Sequence, residues 1–299
     1  MDLSVVIPTL NGRDRLAASL DALAVHVPDA EVVVVNGPST DGTTGMLRDR
    51  DDVDVLVEVS ARTGTVARNA GLEAATGDAV AILRYDLVVE PSWLDGVEDG
   101  LAEASVVTGP THRTLDGGMT TEESERRTVG SREVTYFNGG NVVFRRPVLD
   151  ALDGFDEYLE TGGGRDAAHR LAGLGYGVAW RSEMGVRQEY SADGGVAIDD
   201  RGGEFRSLAY RLVKNYGVRP AATGTARRAV RDAVAAGREV IRGDLDLTEW
   251  FATGRAVVGG VVRGAVDGAA ARLRDRSPAH NPHGVSDRAD RAVTRYDWR

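Results

Sequence analysis

Four short apolar runs rich in β-branched residues, separated by stretches with helical spacing, constrain this chain more than any other feature. Leu3–Pro8 is apolar and stops at a proline, as a buried strand feeding a loop does. Glu31–Val35 is wholly apolar after its first residue and reads as an interior parallel strand. Val53–Val59 and Ala79–Leu83 continue the series. Between these runs Arg15–Ala24 places Leu16, Leu20 and Leu23 at helical spacing, a helix starts near Thr43, and Val66–Ala75 and Ser92–Ala104 supply two more. This alternation predicts an α/β fold with a mostly parallel sheet flanked by helices. In such sheets ligands sit at the carboxyl ends of the strands. Chemistry is therefore expected in the loops after Ile7, Val35 and Leu83.

Those loops read Pro8-Thr9-Leu10-Asn11-Gly12, then Asn36 through Ser39 and Asp41, then Arg84-Tyr85-Asp86. Taken singly, each is also what helix caps and turns require. Their order is more specific when two further segments are added: Ala67-Arg68-Asn69-Ala70-Gly71, and Gly164-Arg165-Asp166 ahead of a helical run to Tyr176. Together with Pro91-Ser92-Trp93-Leu94, Phe137-Asn138-Gly139-Gly140-Asn141 and Asp153-Gly154-Phe155-Asp156-Glu157, the string resembles the family 2 glycosyltransferases over about 190 residues. These are inverting enzymes of the GT-A fold that take a sugar from a nucleotide. The resemblance implies that Pro8, Thr9, Asn11, Asn36, Ser39, Asp41 and Arg68 line the nucleotide pocket. It implies that Asp86 closes the motif holding Mg²⁺ or Mn²⁺ on the diphosphate, and that Asp166 is the general base. It places Asn138, Gly139, Gly140 and Asn141 beside the sugar or acceptor. The residue types suit that chemistry, since a single displacement needs a carboxylate for the acceptor proton and positive charge on the leaving diphosphate. Without the resemblance, Asp166 at a helix start reads as an N-cap, and Gly139-Gly140 as a tight turn.

Four departures from the family pattern surround the diphosphate. Arg84 and Tyr85 precede Asp86 where carboxylates are usual, Arg165 replaces a Glu, Gln188 replaces a His, and Asn36 replaces an Asp. Three readings follow. Asp86 alone holds a divalent cation together with waters; Arg84 and Arg165 replace the metal as guanidinium clamps; or the site binds without catalysing. The polar stretch 116–132 is expected to be a loop near the site.

Charge divides the chain. Residues 1–204 carry 18 Arg and 36 Asp plus Glu, whereas residues 205–299 carry 18 basic and 10 acidic side chains. Lys214 is the sole lysine. An acidic, lysine-poor surface suits a high-salt cytoplasm, and equally a genome that favours arginine codons. The expected organisation is a GT-A domain over 1–204, a basic amphipathic helical region over 205–274 and a polar, loosely ordered tail over 275–299. Phe205–Tyr216, Ala226–Arg242 and a third run from Trp250 and Phe251 to Leu273 have helical periodicity. Their apolar faces either pack on the catalytic domain or lie in a membrane interface, and the second is the expectation, at the cytoplasmic face. Arg263 and Asp267 interrupt the third run, so it does not span a bilayer. No cysteine is present, so disulfides and thiol nucleophiles are excluded. Met1–Pro8 lacks a basic region and does not read as a signal peptide. Nucleic acid is not an expected partner of so acidic a chain. The function these readings imply is sugar transfer to a lipid-linked acceptor such as a polyprenyl phosphate, in a surface-glycan or N-glycosylation pathway. The alternatives are exopolysaccharide synthesis or a non-catalytic sugar-nucleotide-binding protein.

Overall fold

The computed structural model describes residues 1–115, 118–121, 124–188, 200–219, 247–285 and 292–299. The alternation legible in the sequence is present as β1 (Leu3–Thr9), α1 (Arg13–His26), β2 (Glu31–Asn36), α2 (Thr43–Arg48), β3 (Val55–Val59), α3 (Gly64–Ala74) and β4 (Ala79–Leu83). There follow β5 (Leu87–Val89), α4 (Trp93–Glu103), β6 (Val106–Thr108), β7 (Thr111–Leu115), β8 (Gly118–Thr121), β9 (Glu125–Val129), β10 (Arg132–Tyr136) and β11 (Asn141–Arg145). The rest comprises α5 (Arg146–Leu152), α6 (Gly163–Leu174), β12 (Val178–Trp180), β13 (Val186–Gln188), α7 (Arg201–Tyr216), α8 (Leu247–Arg274) and β14 (Ala292–Asp297).

The main sheet has the order β12-β6-β11-β4-β1-β2-β3-β14. β3, β2, β1 and β4 are mutually parallel, while β11 runs antiparallel between β4 and β6. The two-residue period of the strands divides their side chains between two cores. Val6, Val33 and Val35 enter one, against α3, α5 and α6; Val5, Ile7, Val32 and Val34 enter the other, against α1 and α4. Each buried valine contributes roughly 1.5–3 kcal/mol, which is why β2 is apolar on both faces. Gly71 brings α3 onto the sheet: a Cβ there would lie 2.2 Å from Val6 Cγ1. A four-stranded sheet, β5-β13-β7-β8, and the β9–β10 hairpin lie beside this frame.

Three expectations need correction. The stretch 116–132 is not a plain loop: its described residues form β8 and β9 and lead into β10. β9 is exposed or half-buried throughout, so polar side chains hid a strand whose pairing is made by backbone. The described residues of the tail, 275–285 and 292–299, are held against the domain and not loosely ordered. β14 pairs antiparallel with β3, Arg299 ion-pairs with Glu31 at 2.5 Å, and His280 and Asn281 are buried. α7 offers no membrane face. Phe205, Tyr210 and Lys214 are buried, and Arg206 donates to Tyr158 Oη at 2.7 Å.

The helix expected over Ala226–Arg242 lies outside the described residues, as do the side chains of Trp250 and Phe251. α8 packs on α7 through glycines at four-residue spacing. A Cβ at Gly260 would meet Gly202 O at 2.1 Å, one at Gly264 Arg206 O at 2.1 Å, and one at Gly268 Tyr210 O at 2.6 Å. The stripe read as one apolar face is thereby split in two. Val257, Val261 and Ala269 turn towards α7, while Val258, Val262, Val266 and Leu273 stay 57–67% exposed. Among the described residues no helix is long and apolar enough to cross a membrane.

Candidate functional site

Because β1, β2 and β4 are parallel neighbours, the loops at their carboxyl ends meet. Thr9 pairs with Asn36 in register, and Gly37 N–H donates to Thr9 O at 2.9 Å. Asn11 adopts a left-handed backbone (φ 54°), a conformation asparagine tolerates better than most residues. Its N–H donates to Ser39 Oγ at 2.9 Å, and its Oδ1 accepts from Thr40 N–H at 2.8 Å. Ser39 Oγ in turn donates to Asn36 Oδ1 (2.7 Å), while Asn36 Nδ2 donates to Thr44 Oγ1 (2.8 Å). An amide serves here as donor and acceptor at once, which an ionised carboxylate cannot do. Asp41 accepts from the N–H groups of Arg13 and Thr43, both at 3.1 Å, and so ties the start of α1 to the start of α2. Pro8 is half-buried, and Thr9 Oγ1 is buried without a partner. Asn11, Ser39 and Asn36 therefore form one hydrogen-bonded unit, and Asp41 beside it makes a second tie between the same two loops.

On the other side of β1, the ring of Tyr85 lies over Gly12, where a Cβ would come within 2.3 Å of it. In the sequence alone Tyr85 carries no role beyond interrupting a motif. Arg84 N–H donates to Gly140 O at 2.9 Å, and a Cβ at Gly140 would lie 2.9 Å from Arg84 Cβ. A Cβ at Gly139 would lie 3.8 Å from Arg68 Nη2 and 3.9 Å from Gly164 Cα. Arg68, Arg84, Gly139, Gly140 and Gly164 thus converge. In the motif of α3 only Arg68 takes part, since Asn69 is buried and holds the Gly154–Glu157 turn by bonds to Phe155 O and Glu157 Oε1 at 2.8 and 2.9 Å.

The remaining candidates are placed differently. Asn141 does not border the cleft, because its side chain is fully buried between Trp93 Nε1 and Met184 O, at 2.9 and 2.8 Å. Asn138 accepts from Gly140 N–H at 2.9 Å and donates to Thr111 Oγ1, shaping the turn. Arg165 donates to Glu125 Oε2 at 2.7 Å, and its guanidinium stacks 4.5 Å from the Tyr136 ring centroid. Asp166 lies on the first turn of α6 with no exposed surface. Its Oδ2 accepts from Lys214 Nζ and Arg170 Nε, both at 2.8 Å, and its Oδ1 from Asn215 Nδ2 at 2.9 Å. Lys214 also reaches Asp156 Oδ2 at 2.5 Å, which accepts in addition from Tyr210 Oη at 2.8 Å. Burial alone would raise the Asp166 carboxyl, but Lys214 and Arg170 hold it down to about 2. His169 lies between Tyr216 Oη (2.8 Å) and Tyr136 Oη (3.4 Å), and burial pushes its ring down to about 3, so it is neutral.

The donor set around Asp86 does not fit a divalent cation. Its Oδ1 accepts from Arg84 Nε and its Oδ2 from Gln188 Nε2 at 2.8 Å. Among the described residues no three His, Cys, Asp or Glu side chains gather as a metal group. A cation at Asp86 would displace a guanidinium and then sit beside its charge.

Comparisons with known proteins agree with this architecture. Residues 4–152 match the family model for glycosyl transferase family 2. Glycosyltransferase AglE of Haloferax volcanii is 25% identical over 199 residues, which cover 61% of this chain and 65% of that protein. A pre-mycofactocin glycosyltransferase of Mycobacterium tuberculosis is 27% identical over 223 residues, covering 67% and 43%. The chain thus spans less than two thirds of either relative. Among solved structures, the mannosyltransferase PcManGT of Pyrobaculum calidifontis, in complex with GDP-Man and Mn²⁺, superposes with a TM-score of 0.58 at 20% identity, covering 92% of this chain and 88% of its own. Staphylococcus aureus TarS in complex with UDP-GlcNAc gives 0.61 at 16% identity, covering 92% of each chain.

Proposed function

Residues 4–152 form a glycosyl transferase family 2 domain, and from that premise we propose that this chain transfers a sugar from a nucleotide-sugar donor to a lipid-linked phosphate acceptor. The observation that carries the reading is the convergence of Arg68, Arg84 and the Asn11–Ser39–Asn36 unit at the carboxyl ends of β1, β2 and β4. The polar unit after β1 and β2 faces the nucleoside, and the two arginines face its phosphates. In the transfer, the acceptor oxygen bonds to the anomeric carbon from the side opposite the leaving group. The bond to the diphosphate oxygen breaks with its electron pair, and the anomeric configuration inverts.

In this reading Asp166 does not take the acceptor's proton. Both its oxygens are enclosed by Lys214, Arg170 and Asn215, so it positions the start of α6, where Gly164 meets Gly139. A phosphate acceptor suits such a cleft, because a phosphate monoester is already ionised at pH 7, with a second pKa of about 6. A panel of nucleotide sugars tested for thermal stabilisation checks the donor half. A ligand at ~100 times its dissociation constant stabilises by ~2.7 kcal/mol, and no shift with any of them contradicts the reading.

The exposed face of α8 supports membrane attachment of this transferase. Val258, Val262, Val266 and Leu273 follow one another along the side away from α7, with the exposed Arg263 and Arg274 beside them. We expect the double substitution Val262→Asp, Val266→Asp to abolish sedimentation with anionic vesicles while leaving the unfolding midpoint unchanged, since both side chains are open to water. Unaltered sedimentation would remove α8 as the attachment surface.

A further inference from the structure

The two guanidinium groups in the cleft have donors that none of the described residues satisfies. Arg68 Nε and Arg84 Nη2 are both buried from solvent and without a hydrogen-bond partner. An unmade bond from a buried donor is costly, more so for a charged group. Neither chain of contacts around them explains this. Arg68 lies over Phe155, with its guanidinium carbon 5.3 Å from the ring centroid, and among the described residues no carboxylate acts on it. Burial, with the neighbouring Arg84 adding to it, pushes the Arg68 group down to about 10. That is the direction expected when a cation lacks its anion.

We propose that Arg68 and Arg84 together bind the donor's diphosphate in the place where a divalent cation would otherwise act. This rests on the donor reading above and adds to it how the leaving group is held. Asp86 contributes by fixing Arg84 through Nε, which leaves Nη2 to point elsewhere, and Gln188 holds the second oxygen of Asp86 at 2.8 Å. The substitution of the usual carboxylate by arginine at position 84 is thereby matched by a carboxylate already spent at position 86. Two guanidinium groups against one carboxylate leave a net positive cradle, suited to a diphosphate and hostile to a metal ion. As the bond to the anomeric carbon breaks, the leaving oxygen takes the electron pair, and planar guanidinium forks meet that added charge with paired N–H donors. Arg165, whose donors already serve Glu125, is not needed for this role.

Isothermal titration of the full chain with UDP and with GDP, in excess EDTA and then in Mn²⁺, tests the assignment. The expected result is saturable binding of at least one of them in EDTA, with affinity no better in Mn²⁺. Arg68→Gln and Arg84→Gln should each weaken that binding about ten- to hundredfold, as loss of a charged hydrogen bond does, with the unfolding midpoint preserved or raised. Binding that appears only with Mn²⁺, or that survives both substitutions, overturns the proposal and leaves the donor reading intact. Binding to neither nucleotide under either condition overturns both.

Discussion

Lys214→Met should lower the unfolding free energy by about 3–5 kcal/mol, the cost of breaking a buried ion pair from one side. The methionine fills a similar volume, but Asp156 and Asp166 would then face each other without the ammonium that lies 2.5 and 2.8 Å from them. In a chain of this size that corresponds to a fall of roughly 10 °C in the unfolding midpoint. An unchanged midpoint would mean that the cluster does not hold α7 to α6. Acid should reveal the same linkage. The Asp166 carboxyl is held below its ordinary 3.8 in the folded protein, down to about 2. Its contribution is therefore complete above pH ~4 and is lost as pH falls towards 2. Lys214→Met should flatten this acid limb, since Arg170 alone then holds the carboxyl down, and a calorimetric pH series on both proteins would detect the difference.

The second large effect concerns Asp166 itself. Asp166→Asn keeps the shape but removes the charge that Lys214 and Arg170 require, so the protein should be destabilised by about 2–3 kcal/mol, as for lost bonds to charged groups. Turnover per folded molecule should fall by less than about tenfold, because both oxygens already accept from Lys214, Arg170 and Asn215. A general base predicts the reverse pattern, with stability kept and turnover reduced by about 10²–10⁴. Measuring the midpoint and single-turnover rate on one preparation separates the two roles, and a dead but stable variant would restore Asp166 to the chemistry.

Much of the frame was legible because parallel strands buried on both faces leave an unambiguous trace. Val32–Val35 could be nothing but interior, and the capping residues after them marked the loops. The chemistry was less legible. Asp166 and Arg170 are four residues apart on one helix, a spacing that already permits an ion pair. That Lys214 completes the cluster depends on α7 packing across α6, which no local pattern states. Arg165 and Arg84 looked alike as cations near a motif; Glu125, on a hairpin disguised by its polar side chains, takes one and leaves the other. Along α8 the apolar periodicity alone suggests a single face. It is Gly260, Gly264 and Gly268 that decide which valines meet α7 and which remain outside.

Transfer itself is the most direct test. The full chain would be incubated with vesicles containing a polyprenyl phosphate and, in turn, with radiolabelled nucleotide sugars. Label is expected in the lipid fraction with one donor, with stoichiometric release of the nucleoside diphosphate and continued turnover in EDTA. Saturable donor binding with no transfer to any phosphate or hydroxyl acceptor would contradict it, and would make the chain a sugar-nucleotide-binding protein instead.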